Sequence, residues 1–467
     1  MTDARMLEFV HASFAGRIGV AREDITPPVG IYSRNWGAAR HDVAESIHRP
    51  LTLTALTLQS DTSEEPLVLV AADLGWWRGL RGFTEFQSRV LKELSLPSPS
   101  FLFALSHTHA AVPLVEKDSS FPQSELLDEY TERLFHATVS AVRRAFDEAR
   151  EATLDWHTGR CGLAAVRDLP EPDSSSRRLV CGFNPNACAD DTLLVGRVTD
   201  RSGKIVATLV NYACHPTTLA WDNTAISPDY VGAMRELVEE ATGAPTLFLQ
   251  GASGELAPRY QYVGDSAVAD RHGYQLGHAV LATLHDMEPP ARKLVFDRVV
   301  ESGAPLAVWR HEPIEPSPLL RSVEETVELP VKDWPSAEEL ERQRQACTDR
   351  ALEERLRRRR DIRRSLGDGK TFRASIWAWR IGDAFLVGSM WEAYSQLQRE
   401  LRRRFPGRCI ACVGLLNGSL GYLPPAELYD QDVYQVWQTP IDRGGLEKVI
   451  EAMGAVIERM SLESQRD

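Results

Sequence analysis

The run Leu67-Val-Leu-Val-Ala-Ala72 has no polar side chain at any position and ends on Asp73. A strand that alternates apolar and polar residues buries one face, whereas one that is apolar throughout belongs at the centre of a sheet, covered on both faces. Leu51-Thr-Leu-Thr-Ala-Leu-Thr-Leu58, just upstream, has period two and predicts a half-buried strand. Helical spacing follows at about residues 82 to 95 and 122 to 150. Further strands are expected near 203 to 213, 245 to 250, 295 to 301, 373 to 381 and 384 to 390, with Gly382-Asp383 as a hairpin turn. Helices are expected over 228 to 242, 265 to 287, 336 to 366, 392 to 404 and 443 to 461. Strands interleaved with helices predict an α/β chain of mixed β-sheets flanked by helices, with at least some parallel pairing.

There is no internal repeat. The stretch from about 288 to 372 is proline-bearing and then highly charged, which makes it the natural boundary between a larger and a smaller part. The expectation is an N-terminal α/β part, residues 1–290, and a C-terminal α/β part, 291–467, completing one unit.

Composition excludes several function classes. With 467 residues, 43% apolar and 25% charged, the chain is of ordinary globular make-up, and its net charge of -13 argues against a nucleic-acid partner. The Arg-rich segment from Arg355 to Arg364 runs against that balance, and its acids and bases at helical spacing predict a solvated helix face. Met1 to His11 contains acids and no apolar core, so no secretory leader is expected. No stretch offers the roughly 18 apolar residues of a membrane span. Seven cysteines without a framework suit the cytoplasm, and Cys409-Ile-Ala-Cys412, inside an apolar run, reads as strand cysteines rather than a zinc knuckle. Oligomeric state is left open, a homo-oligomer being compatible.

In α/β sheets functional groups collect beyond the carboxyl ends of strands. The strand Phe101 to Leu105 ends at Ser106-His107-Thr108-His109, and in an extended segment the two imidazoles share a face, as a metal would require. The strand near 203 to 213 ends at Cys214-His215-Pro216; that near 245 to 250 at Gly251-Ala-Ser-Gly-Glu-Leu-Ala-Pro-Arg259. The strand from Ala384 exits through Trp391 into Glu392, placed at a helix start, and Cys409 to Leu416 exits into Asn417-Gly-Ser-Leu-Gly-Tyr422. Taken one at a time, these residues have ordinary roles as well: loop histidines, a first-turn carboxylate, a core aromatic.

The ordered set Arg17-Ile-Gly-Val-Ala-Arg-Glu-Asp-Ile-Thr-Pro27, Ser106-His-Thr-His-Ala110, Cys214-His-Pro-Thr217, Gly254-Glu-Leu-Ala-Pro258 and Gly421-Tyr-Leu-Pro424 resembles the neutral, non-lysosomal ceramidases and their bacterial relatives. The resemblance implies a Zn2+ amidohydrolase with the metal held by His107, His215, Glu392 and Tyr422. It further implies that His109 and Arg167 act at the reacting centre, with Tyr422 also placed to assist. Two imidazoles and one carboxylate leave zinc positively charged, an arrangement that lowers a bound water's pKa toward about 7 and makes it a nucleophile. His109 would stabilise the oxyanion or protonate the leaving nitrogen, and Arg167 would add fixed positive charge.

Departures from the family pattern carry information too. Where ceramidases have a serine and an asparagine after the Gly-Asp-Val segment, this chain has Ala257 and Arg259, so no mechanism needing that hydroxyl is open to it. The leader and the C-terminal β-domain of secreted members are not expected here, which suggests a smaller or more soluble acylated substrate, small or lipid-like, with ceramide kept among the candidates. The bond expected to be cleaved is an N-acyl amide. An ester or lactone hydrolase on the same zinc, a serine hydrolase using Ser253, and a zinc-stabilised binding protein are the alternatives. Asp73 and Asp229 are placed where they could orient ligands, although a helix N-terminal position by itself accounts for Asp229, whereas His136, His272 and His278 are expected to be structural.

Overall fold

The computed structural model of the chain describes residues 7–61, 63–116, 121–172 and 178–463; Met1 to Met6, on which the reading of the N-terminus draws, lie outside them. Its larger sheet has eight strands in the order Thr246–Gln250, Ile205–Tyr212, Thr192–Asp200, Arg150–Arg160, Ala12–Asp24, Thr52–Gln59, Leu67–Ala72, Phe101–Leu105. The outermost pair at each edge is parallel, and all pairs between them are antiparallel. The α/β class of mixed sheets flanked by helices is therefore the observed one.

Leu67–Ala72 is buried on both faces, as its composition requires. Val68, Val70 and Ala72 join a core with Phe83, Phe86 and Val90 of helix Leu80–Leu94 and with Leu134 and Val142 of helix Ser124–Asp147. Leu67, Leu69 and Ala71 point the other way, into a core shared with a second sheet. Each of these leucines and valines contributes about 1.5–3 kcal/mol when fully removed from water. The second sheet runs Leu320–Pro330, Thr371–Ile381, Ala384–Ser389, Cys409–Val413, its last pair parallel, and helices Gln396–Arg404 and Gly445–Glu463 pack on it. Helices Tyr230–Thr242 and Ser266–His285 pack together over the other end of the large sheet.

The Gly382-Asp383 hairpin forms as expected, with Ile381 facing Ala384. Gly382 has φ +60°, and a Cβ there would stand 2.0 Å from the Ser13 carbonyl oxygen, so glycine is required on both counts.

Several expectations need correction. Thr52–Gln59 is an interior strand rather than a half-buried one: Thr54 and Thr57 are buried, Thr57 donating to the Ala145 carbonyl and Thr54 accepting from Arg22. The helix expected over 336 to 366 is two helices, Ala337–Ala346 and Arg350–Leu366, because Asp349 caps the second by accepting from the Leu352 amide at 2.7 Å. The Arg-rich segment is not a solvated face: Arg357, Arg360 and Arg363 are buried, and a Glu353–Arg357 pair at 2.8 Å helps neutralise it. Ala12–Asp24, Arg150–Arg160 and Thr192–Asp200 are strands whose polar residues blur their alternation. No helix among the described residues is long and apolar enough to cross a membrane.

Candidate metal centre

Three parallel-strand exits meet at one point. Beyond Leu105 the chain does not stay extended: the Ser106 amide bonds the Ala72 carbonyl, the His107 amide bonds that of Leu74, and His107 takes φ +70°. That turn, rather than strand alternation, brings the His107 and His109 rings to 4.8 Å. His215 follows Ile205–Tyr212, its ring 4.8 Å from that of His107. Glu392 does not open a helix; it sits in a two-residue strand, Glu392–Ala393, and the helix starts only at Gln396. The partner strand is Tyr422–Leu423, parallel, with Glu392 opposite Tyr422. All the residues expected at the site are thus brought together, although Glu392 arrives on a different element.

One Glu392 oxygen, Oε2, lies 3.2 Å from His107 Nε2 and 3.0 Å from His215 Nε2. The other ring nitrogens donate to carbonyls, His107 Nδ1 to Gly75 at 3.1 Å and His215 Nδ1 to Ser253 at 2.7 Å. Those bonds place a proton on each Nδ1 and aim both Nε2 atoms at one carboxylate oxygen, a convergence that suits a cation held between them. Tetrahedral ligands about 2.0–2.1 Å from zinc lie about 3.3 Å apart, close to these separations. His109 adds a second sign: both its ring nitrogens are buried without any hydrogen-bond partner. One ring nitrogen from each of His107, His109 and His215 lies within 4.8 Å of the other two. The residues fit a divalent metal with nitrogen and oxygen ligands.

Electrostatics keep His215 and His109 neutral. Burial, then the Arg167 guanidinium, pushes His215 down to about 3. Burial, followed by His107 and His215, holds His109 well below its ordinary value. Arg167 stands beside them, its Nη2 3.3 Å from His215 Nε2, donating to the Gly254 carbonyl at 2.8 Å and to the Tyr422 hydroxyl at 3.1 Å. Burial and then the Glu392 carboxylate push the Tyr422 phenol well up, against the opposing Arg167.

The segment Ser253 to Pro258 scaffolds this cluster. Glu255 accepts from the Ser395 amide at 2.9 Å and from its hydroxyl, anchoring the turn after Glu392. Its carbonyl accepts from the Arg167 amide at 2.8 Å. A Cβ on Gly254 would lie 2.8 Å from the Glu392 carbonyl oxygen, so this glycine allows the approach. Ala257 is buried opposite Ala165 in a short ladder, and Arg259 is exposed. Ser253 accepts from Gln250 at 2.6 Å and lies 3.3 Å from His215 Nδ1, whose proton goes to the Ser253 carbonyl; no base is aimed at its hydroxyl.

Asp73 and Asp229 touch no imidazole of the site. Asp73 pairs with Arg235 at 2.5 Å, while Asp229 accepts from the Leu219 and Tyr230 amides at 2.9 and 2.7 Å. His136 pairs with Glu132 at 3.4 Å and His272 with Thr218 at 3.0 Å, both away from the cluster.

Two cavities flank the imidazoles, of about 50 and 420 Å³, and His109, Tyr422, Arg358 and Tyr434 line both. The His109 ring is sandwiched by Trp76 at 4.8 Å and Trp36 at 5.0 Å. Trp36, Tyr434 and Arg358 sit in segments without a strand-exit signature, and only long-range packing brings them in; Trp76 does lie just beyond the exit of Leu67–Ala72, a signal the sequence reading used for Asp73 alone.

No protein-family model matches the chain, and no curated protein does. Solved structures do. A neutral ceramidase from Pseudomonas aeruginosa superposes with a TM-score of 0.64 at 16% identity, over 97% of this chain and 75% of that one. A ceramidase complexed with C2 gives the same score and identity, over 96% of this chain and 76% of that one. At such identity the likeness is one of fold, and the fold is that of the neutral ceramidases.

Proposed function

We propose that this chain is a zinc-dependent amidohydrolase that cleaves an N-acyl bond of a small or lipid-like acylated substrate. The observation that carries the reading is the convergence of His107 Nε2 and His215 Nε2 on one Glu392 oxygen beside a partnerless His109. The ceramidase fold supports it. His107, His215, Glu392 and Tyr422 would hold the metal, whose contribution is Lewis acidity and a water pKa lowered toward about 7.

The remaining work falls to the chain's own groups. His109, neutral and buried against two tryptophans, accepts a proton from the attacking water at one ring nitrogen and returns it to the leaving nitrogen. Arg167, fixed by Gly254 and Tyr422, places positive charge where the carbonyl oxygen becomes an oxyanion. The aromatic walls exclude water from the apolar arm of the substrate. Glu392 and Tyr422 come from the second sheet's loops and the histidines from the first sheet's, consistent with parts 1–290 and 291–467 acting as one catalytic unit. All seven cysteines are free, which fits action in a reducing compartment.

The test is hydrolysis of N-acyl amines by protein of measured zinc content, with a chelator and a serine-directed reagent as the two inhibitors. Loss of turnover with the chelator alone is the expected result; loss with the serine reagent alone refutes the zinc reading. Cleavage of esters or lactones but not amides would move the substrate class while keeping the site.

A further inference from the structure

The larger cavity is basic in an acidic protein. Its charged lining residues are Arg167, Arg355, Arg358 and Glu354, three cations to one anion, in a chain of net charge -13. Glu354 is already engaged outward, with Arg78 at 2.8 Å as well as Arg358 at 2.9 Å. The cavity therefore keeps an excess of positive charge that the chain itself does not neutralise.

Helix Arg350–Leu366 supplies this charge through one face. Ala351, Glu354, Arg355 and Arg358 all line the cavity, the i, i+3, i+4, i+7 spacing of a single stripe, while Leu356, Arg357, Arg360 and Arg363 pack into the protein. Arg355 stacks on Trp437 at 4.1 Å and Arg358 on Trp76 at 5.0 Å. Stacking uses the flat face and leaves the edge donors of Arg355 available, the geometry that binds a carboxylate with two parallel N–H bonds, whereas Arg358 gives Nε to Glu354 and Nη2 to the Asn35 carbonyl and keeps Nη1 for a second contact. Among the described residues no carboxylate pairs with Arg355, which stands exposed at the cavity rim.

We propose that the substrate carries a carboxylate on the arm that fills this cavity, and that Arg355 and Arg358 read it. The preferred substrate is then an acidic N-acyl compound, such as an acylated amino acid, rather than an uncharged acyl amide. The inference deepens the amidohydrolase reading and rests on it only for the bond that is cleaved.

Calorimetry on chelator-treated protein tests binding without turnover. The probes are N-lauroylglycine against N-lauroylglycinamide, and N-dodecylsuccinamate against N-dodecylsuccinamide, which put the carboxylate on the amine and acyl arms respectively. In one pair the acid is expected to bind at least tenfold tighter than its neutral partner, the preference shrinking as salt rises. Arg355→Gln, an exposed change that leaves the fold intact, is expected to cut that preference at least threefold, and Arg355→Gln with Arg358→Gln to abolish it. Equal affinity within both pairs, no binding of either acid, or a preference that survives Arg355→Gln unchanged overturns the proposal. Turnover by zinc-loaded protein separates the two readings: selective binding of the acid without amide cleavage sinks the amidohydrolase and leaves the anion site standing, whereas equal cleavage and equal binding do the reverse.

Discussion

Glu392 and Tyr422 face each other as register partners in a two-residue parallel ladder, so the carboxylate and the phenol reach the imidazole cluster as a rigid pair. The His107 and His215 Nε2 atoms meet the carboxylate, and Arg167 meets the phenol. Any change that moves this ladder moves two proposed ligands together.

His107→Ala and His215→Ala are expected to lose zinc, measured as metal per chain after dialysis. His109→Ala is expected to keep it and to lose roughly 10²–10⁴-fold in turnover, the span of an acid–base group. Zinc lost from His109→Ala would instead make the three-histidine cluster the ligand set.

Gly254→Ala tests the ladder from a distance. The added methyl would meet the Glu392 carbonyl oxygen and a Tyr394 ring carbon, both at 2.8 Å. Zinc affinity is expected to fall about 10–100-fold with the circular dichroism spectrum unchanged, as for loss of a ligand-orienting contact. Unaltered affinity would show that the ladder shifts freely.

Metal removal is expected to lower thermal stability. A site that exists only in the folded chain adds about 2.7 kcal/mol when free zinc exceeds its Kd a hundredfold. The melting temperature should drop with chelator and return with zinc; His215→Ala, lacking a ligand, should show neither response.

Glu255 sets a pH dependence of stability in the metal-free protein. Burial pushes its carboxyl up to about 7 from an ordinary 4.5, partly opposed by the Ser395 hydrogen bonds. Between those values the folded chain holds a proton that the unfolded chain has released, so stability falls as pH rises from 4.5 to 7, by about 3 kcal/mol at most. Denaturant titrations across that range should show a shallower slope in Glu255→Gln, and an equal slope in both proteins would refute the assignment.

Local pattern carried much of the fold. Wholly apolar runs such as Leu67–Ala72 and Phe101–Leu105 can be satisfied only where both faces are covered, and the exit of the second marked His107 and His109 from the sequence, as the exit of Ile205–Tyr212 marked His215. Strands of mixed polarity, Arg150–Arg160 among them, escaped because their burial is set by neighbours distant in the chain. The Arg355 to Arg364 segment was misjudged for the same reason: its spacing is that of a helix, but Arg78, which pairs with Glu354 from 276 residues upstream, and Trp76, which lies under Arg358, come from a distant part of the chain.

By itself, then, the sequence determined the chemistry on offer: which imidazoles, carboxylate and phenol stand at strand ends, because periodicity is a local property of the chain, with Arg167 added by the resemblance alone. Tertiary structure decided how they act together. The left-handed turn at His107, the ladder pairing Glu392 with Tyr422, and the helix that lays Arg355 and Arg358 along the cavity all depend on contacts between segments tens to hundreds of residues apart, where no local preference reaches.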